Sequence, residues 1–191
     1  MGLDKVIVKA VLTTLAAIGT LILFIVLGLC LIFPSTSMKF AYDMGMEKSC
    51  IHFAERAYRG SDDIYFIAYA TEVAIEDGQT EKVISCGEKF IADDNFETYS
   101  ALKGEGYGQF IYGQVCVAKY QEGEKMEAVA LAYETLNGGF PKGNALVAVL
   151  LASLKIEDTA TVAQIQEKLN TISVEGEDAV YLQQTLALLG N

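Results

Sequence analysis

His52 is the sole histidine of the chain, and it stands two residues after Cys50. A Cys-x-His pair has the donor types of a zinc site. On a helix, however, residues two apart point to different faces, and no second histidine is present to extend the ligand set. A serine–histidine–acid nucleophile would need the same His52, and no serine sits in a strand–turn–helix elbow. Carboxylates are plentiful, but none falls in a recognisable apolar pocket that would tune it for acid–base work. Gly104, Gly106, Gly108 and Gly113 have a superficial likeness to a phosphate loop. They follow no predicted strand and lack the Lys-Ser/Thr pair of that motif, so they read as a connector into a helix from about Tyr107. After residue 35 the cysteines are Cys50, Cys86 and Cys116, an odd set at wide spacing among apolar neighbours. That is the pattern of small core residues and not of a disulfide framework. The expectation is no catalytic residue, no metal and no cofactor, hence a protein that binds and does not react.

The elements that would position a binding surface are helices. Three stretches align: Gly45–Tyr58, Gly78–Ile91 and Gly123–Leu136. Each opens with glycine and a Glu/Lys-rich turn. Each then places small or apolar residues five, six, nine, twelve and thirteen positions on. These are Cys50, Ile51, Ala54, Ala57 and Tyr58; then Val83, Ile84, Gly87, Phe90 and Ile91; then Ala128, Val129, Ala132, Thr135 and Leu136. Spacing of i, i+1, i+4, i+7, i+8 is one face of an α-helix. The leading glycine fits the left-handed cap of a preceding helix, where a side chain would be strained. Preceding helices are predicted from Asp62–Asp63 to about Glu76 and from Tyr107 to Gln121. Further helices are predicted at Ala145–Leu154, which is apolar all round, at Thr159–Ile172 and at Ala179–Leu189. The first two leading glycines are 33 residues apart and the next two 45, the excess falling in Asp93–Gly106, a loop or short extra helix.

A helix–turn–helix unit with a period near 34 resembles the tetratricopeptide repeat. The large aromatic of that repeat's first helix is replaced here by Ile67 in one copy and matched by Tyr112 in another, and Asp93–Asp94 stands where its terminal proline would be. The resemblance implies an all-α, right-handed solenoid of α-α hairpins. It also implies protein or peptide binding in a groove lined by first helices. On that basis Tyr65, Tyr69 and Glu72, which share a face with Glu76, are candidate partner contacts. Gln109, Tyr112 and Lys119 are candidates on the next first helix, on a face with Cys116. Tyrosine suits such a role because it joins a large apolar body to a polar tip.

The other organising stretch is Val6–Phe33, with no charge from Ala10 to Met38. At about 1.5 Å per residue, roughly 20 apolar residues cross a hydrocarbon core of about 30 Å, so this run suffices with room for tilt. A cleaved leader would carry an apolar region of about 7–15 residues, and a lipoprotein signal would place a small residue where Leu29 precedes Cys30. Pro34 and Ser35 are expected to end the helix. The chain thus divides into a tail and transmembrane helix at residues 1–35 and a repeat domain at residues 36–191. Lys5 and Lys9 precede the span, and a short lysine-bearing tail ordinarily stays inside, which puts the C-terminal domain outside the cytoplasm. Beyond the span 12 basic residues face 24 acidic ones, a net charge of −12. Such a surface repels phosphate backbones, so a nucleic-acid partner is not expected. The leading expectation is a single-pass membrane scaffold whose partners are a protein or peptide and, through residues 6–33, the lipid bilayer. Alternatives are an accessory subunit or assembly factor using Ala145–Leu154 as a contact, and a membrane-associated enzyme.

Overall fold

The computed structural model describes residues 3–189, and every regular element among them is a helix. Residues 1–2 and 190–191, the ends of the two expected segments, lie outside the described residues. Helix α1 (Leu3–Ile32) is the long apolar element. Its stretch Ile7–Val26 is not buried by any other of the described residues. The hydroxyls of Thr13, Thr14 and Thr20 donate to carbonyls four residues back, at 2.8, 3.0 and 2.8 Å. These three threonine hydroxyls are therefore satisfied within the helix and need no outside partner.

The apolar helix ends just before Pro34, as expected, and a new helix begins there. α1 stops at Ile32, Phe33 takes non-helical angles, and Pro34 opens α2 (Pro34–Asp43) at once. The reason is positional: the first residue of a helix needs no N–H donor, and proline's fixed φ already suits it. The two helices stay coupled, because Phe33 N–H donates to the Leu29 carbonyl at 2.8 Å and Ser37 N–H donates to that of Phe33 at 3.1 Å.

Nine further helices follow among the described residues: α3 (Glu47–Ser61), α4 (Ile64–Glu76), α5 (Thr80–Ile91), α6 (Phe96–Lys103), α7 (Tyr107–Gln121), α8 (Lys125–Glu134), α9 (Ala145–Lys155), α10 (Thr159–Leu169) and α11 (Gly176–Leu189). Gly78 and Gly123 lie in the turns before α5 and α8, with φ of 65° and 93°. A Cβ at either would meet nothing within 4 Å, so conformation and not space calls for glycine there. Asp63 caps α4 by accepting from Tyr65 N–H, and Asn144 caps α9 by accepting from Val147 N–H. Short connections make sequential helices neighbours, and each from α2 to α5 packs on the next.

The core has two parts. Met38, Ile51, Ile67, Phe90 and Ile111 anchor the first, from α2 to α7. Phe140, Leu146, Leu150, Ile165 and Leu169 anchor the second. α7 serves both, giving Val115 to one and Cys116 and Tyr120 to the other. α9 is covered by α7, α8 and α10, which accounts for its all-round apolar sequence. Most of that apolar surface is spent inside the chain, with Leu151 and Leu154 left exposed.

In the second half several long-range hydrogen bonds share one separation. Tyr120 OH donates to Asp158 at 2.8 Å, Gln164 to the Met126 sulfur at 3.1 Å, and Phe140 N–H to Asp178 at 2.7 Å, each across 38 residues. Tyr133 and Thr171 pair across the same interval. With contacts of one offset at both ends, α8 and α10 run parallel. In the first half the intervals vary more: 34 and 35 from Lys89 to Glu55, from Tyr58 to Asp93 and from Tyr107 to Glu72, but 27 and 31 from Lys82 to Glu55 and from Lys103 to Glu72.

Asp158 accepts from Tyr120, from Lys125 and from Thr161, and titrates accordingly. The Lys125 ammonium, then the Tyr120 and Thr161 groups, hold its carboxyl well below the usual carboxylate range. A carboxyl depressed in the folded chain stabilises it above the unfolded value of about 4, and the contribution disappears as pH falls toward the folded value. Thermal unfolding followed from pH 7 to 3 should show stability declining below about pH 4. Asp158→Asn should be less stable at pH 7 and decline less steeply. An equally steep decline would contradict this role.

Candidate functional site

Tyr65, Tyr69 and Glu72 come together on α4 as expected, and the structure adds residues from three other helices. Tyr65 is 39% exposed, and its ring lies 5.9 Å from that of Tyr69. Tyr42, from α2, meets Tyr69 edge-on at 5.7 Å. Glu72 Oε1 accepts from Tyr107 OH at 2.6 Å and from Lys103 Nζ at 2.9 Å. The same ammonium lies 5.5 Å from the Tyr99 ring centre and 5.6 Å from that of Tyr107. The result is a run of five tyrosines from α2, α4, α6 and α7 around one carboxylate–ammonium pair.

The local fold holds this arrangement from beneath. Phe90, wholly buried on α5, takes Phe96, Tyr99 and Tyr107 edge-on at 5.0, 5.5 and 6.4 Å. Edge-to-face aromatic pairs at such distances fix ring orientation as well as burying area. Burial, and for Tyr107 also the bond to Glu72, pushes the phenols of Tyr69, Tyr99 and Tyr107 upward. The hydrogen bond to Glu72 raises Lys103 in turn. At neutral pH the surface therefore presents protonated phenols and a neutralised ion pair, suited to contact and hydrogen bonding.

The α7 candidates do not join it. Cys116 on their shared face is wholly buried, and Tyr112 packs edge-on against Phe96 at 5.4 Å. Lys119 is held by Glu88 at 2.6 Å and Glu124 at 3.0 Å, its side chain only 12% exposed. Gln109 lines a separate cleft of about 250 Å³ between α6 and α7 with Phe96, Ser100, Gly104 and Gly108. Ser100 Oγ and Gln109 Oε1 are buried in it without a partner. Glu97 and Glu105 lie on its wall and no basic residue does, which is the wrong charge for a phosphate. The glycine-rich stretch is indeed a connector: Gly106 caps α7 and Gly113 lies within it, buried opposite Ala148.

Another concavity, of about 580 Å³, runs between α8 and α10 past Met126, Val129, Tyr133, Gln164 and Lys168. Lys168 Nζ stands 4.4 Å over the Tyr133 ring, closing part of it. His52 is exposed on α3, and no group of three or more potential metal ligands gathers among the described residues. Burial pushes the thiols of Cys50 and Cys86 up to about 11 and that of Cys116 up to about 12. All three stay protonated at neutral pH and are poor nucleophiles.

Tyr42, Tyr99, Lys103 and Tyr107 were missed from sequence. Tyr99 and Lys103 stand four apart, a one-face spacing on a helix, and that was the available signal in the Asp93–Gly106 connector. No protein family, curated protein or solved structure matches the chain.

Proposed function

We propose that the chain is a single-pass membrane scaffold. In this reading α1 is the anchor, and the helices from α2 onward form a tetratricopeptide-like array of hairpins that binds a protein or peptide. The observation that carries the binding role is the tyrosine surface around Glu72 and Lys103. It concentrates amphipathic rings at the junction of four helices, where a partner gains apolar contact and hydrogen bonds together. The 38-residue offset shared by several bonds in the second half supports a repeated architecture. The exposed apolar length of α1, beyond the roughly 7–15 residues of a leader's apolar region, supports a retained span. Anchoring would act by raising the effective concentration of a bound partner at the membrane. With protonated thiols and engaged charges, the surface favours a binding role over catalysis.

The experiment is recovery of the partner from native membranes with Tyr65→Ala/Tyr69→Ala. Both rings are at least partly exposed, so the domain should stay folded. Recovery should fall at least about tenfold if the two rings supply the ~1.4 kcal/mol or more that one decade of affinity represents. Unchanged recovery with a folded domain would remove the surface from the account.

In this reading the domain lies outside the cytoplasm, supported by Lys5 and Lys9 in the short tail before the span. Leu188→Cys, at a site 51% exposed, should react with an impermeant thiol reagent on intact cells, while the buried Cys50, Cys86 and Cys116 stay silent. Labelling only after permeabilisation would reverse the topology.

A further inference from the structure

α2 has a buried side and an apolar exposed side. Ser37, Met38 and Ala41 face the core. Phe33, Phe40 and Met44 are 53%, 59% and 61% exposed. Their spacing of seven and eleven residues from Phe33 places them along one edge of the helix. Met46, just past the Gly45 turn, is exposed as well. Among later helices the most such exposure is at the end of α9, with Leu151, Leu154 and the capping Ile156; elsewhere it is one or two residues, such as Leu102, Met126 and Val180. An apolar edge concentrated on one short helix marks a contact surface.

The covalent connection to α1 identifies what covers it. The uncharged apolar stretch Ala10–Phe33 is 24 residues, or about 36 Å of helix against a hydrocarbon core of about 30 Å. With Lys9 at one boundary, Phe33 stands at the other. Phe40 is seven residues further, at most about 10 Å along α2, while the headgroup layer is about 5–8 Å deep. Phe33 breaks the helical backbone between α1 and α2 (φ −121°, ψ 67°), and any tilt of α2 from the membrane normal shortens that rise. Lys39, exposed on the same helix, can extend its ammonium toward water while its stem lies over apolar surface.

We propose that the Phe33–Phe40–Met44 edge lies in the headgroup–acyl boundary of the bilayer that α1 crosses. The proposal rests on the reading of α1 as a span. Two attachments, one across the membrane and one along it, would hold the domain in a fixed orientation. α2 also carries Tyr42, two residues from Phe40 and in contact with Tyr69. Residues two apart on a helix point to different faces, so α2 turns one side to the bilayer and presents Tyr42 on another, which holds the tyrosine surface close to the membrane.

The chain contains no tryptophan, so single tryptophans report unambiguously. Full-length chains carrying Phe40→Trp, Leu15→Trp or Val180→Trp are placed in phosphatidylcholine vesicles. Each is challenged with acyl-chain-brominated lipid and with aqueous acrylamide. Leu15→Trp should be quenched by lipid. Phe40→Trp should also be lipid-quenched, blue-shifted, and about threefold less sensitive to acrylamide than Val180→Trp, as for a side chain at the interface. Lipid quenching of Leu15→Trp with Phe40→Trp behaving like Val180→Trp would overturn the α2 contact and leave the span intact. Shielding of Phe40→Trp from both quenchers would also overturn it, in favour of a protein cover. Failure of lipid to quench Leu15→Trp would overturn the span and the contact together.

Discussion

Replacing Phe90 with alanine should lower the unfolding free energy by about 3–5 kcal/mol, the usual cost of emptying a fully buried phenylalanine site. Phe90 has no exposed surface and is met edge-on by Phe96, Tyr99 and Tyr107. The surroundings have few ways to collapse into the space, because α6 has only eight residues and buries just Phe96 and Ser100. The loss should therefore be local in structure as well as large in energy. Hydrogen exchange should quicken in α6 and at the start of α7, while α9 and α10, in the other core part, should stay protected at low denaturant. Urea unfolding of the full chain in detergent, followed by far-ultraviolet circular dichroism, measures the energy. A loss below about 1 kcal/mol would mean that the aromatic cluster does not seat α6.

Gly87→Val should destabilise toward the upper end of the roughly 1–3 kcal/mol that overpacking costs. Gly87 is buried in the middle of α5, where a Cβ would run into the Val115 side chain of α7. Its backbone is ordinarily helical, so the constraint is one of space. Alanine is the weaker test, because its helix propensity returns up to about 1 kcal/mol and masks part of the clash. Val115→Ala removes the methyl that stands in the way. The double variant should therefore be more stable than the sum of the two single effects allows, a positive coupling of the kind seen between contacting residues. Additive losses would show that α5 and α7 are not in this close contact.

The helical framework was legible because its signals are local. Gly45, Gly78 and Gly123 all take the positive φ that their position before a helix implied. Ala54, Gly87 and Ala132, each nine residues after its glycine, are all buried. The stop at Pro34 was legible from proline's effect on the residue before it, whereas the start of α2 at that same proline was not, because it depends on the backbone that follows. The binding surface was half legible for a related reason. Tyr65, Tyr69 and Glu72 share a face of α4, which spacing reveals. Their companions Lys103 and Tyr107 arrive from 31 and 35 residues away, where no periodicity points. On α7 the spacing of Gln109, Tyr112, Cys116 and Lys119 could not show which neighbour covers each residue. α7 packs against α5, α6, α8 and α9, and they divide that face among them.

The central claim, that the tyrosine surface is where a membrane-proximal partner binds, is tested most directly by photocrosslinking in native membranes. A photoreactive side chain is placed in the full-length chain at Tyr65 and, separately, at Met126 in the α8–α10 concavity. The expected result is a discrete adduct from Tyr65 that disappears when Tyr69→Ala is added, with no such adduct from Met126. An adduct from Met126 and none from Tyr65 would contradict the account and move the binding surface to the other concavity.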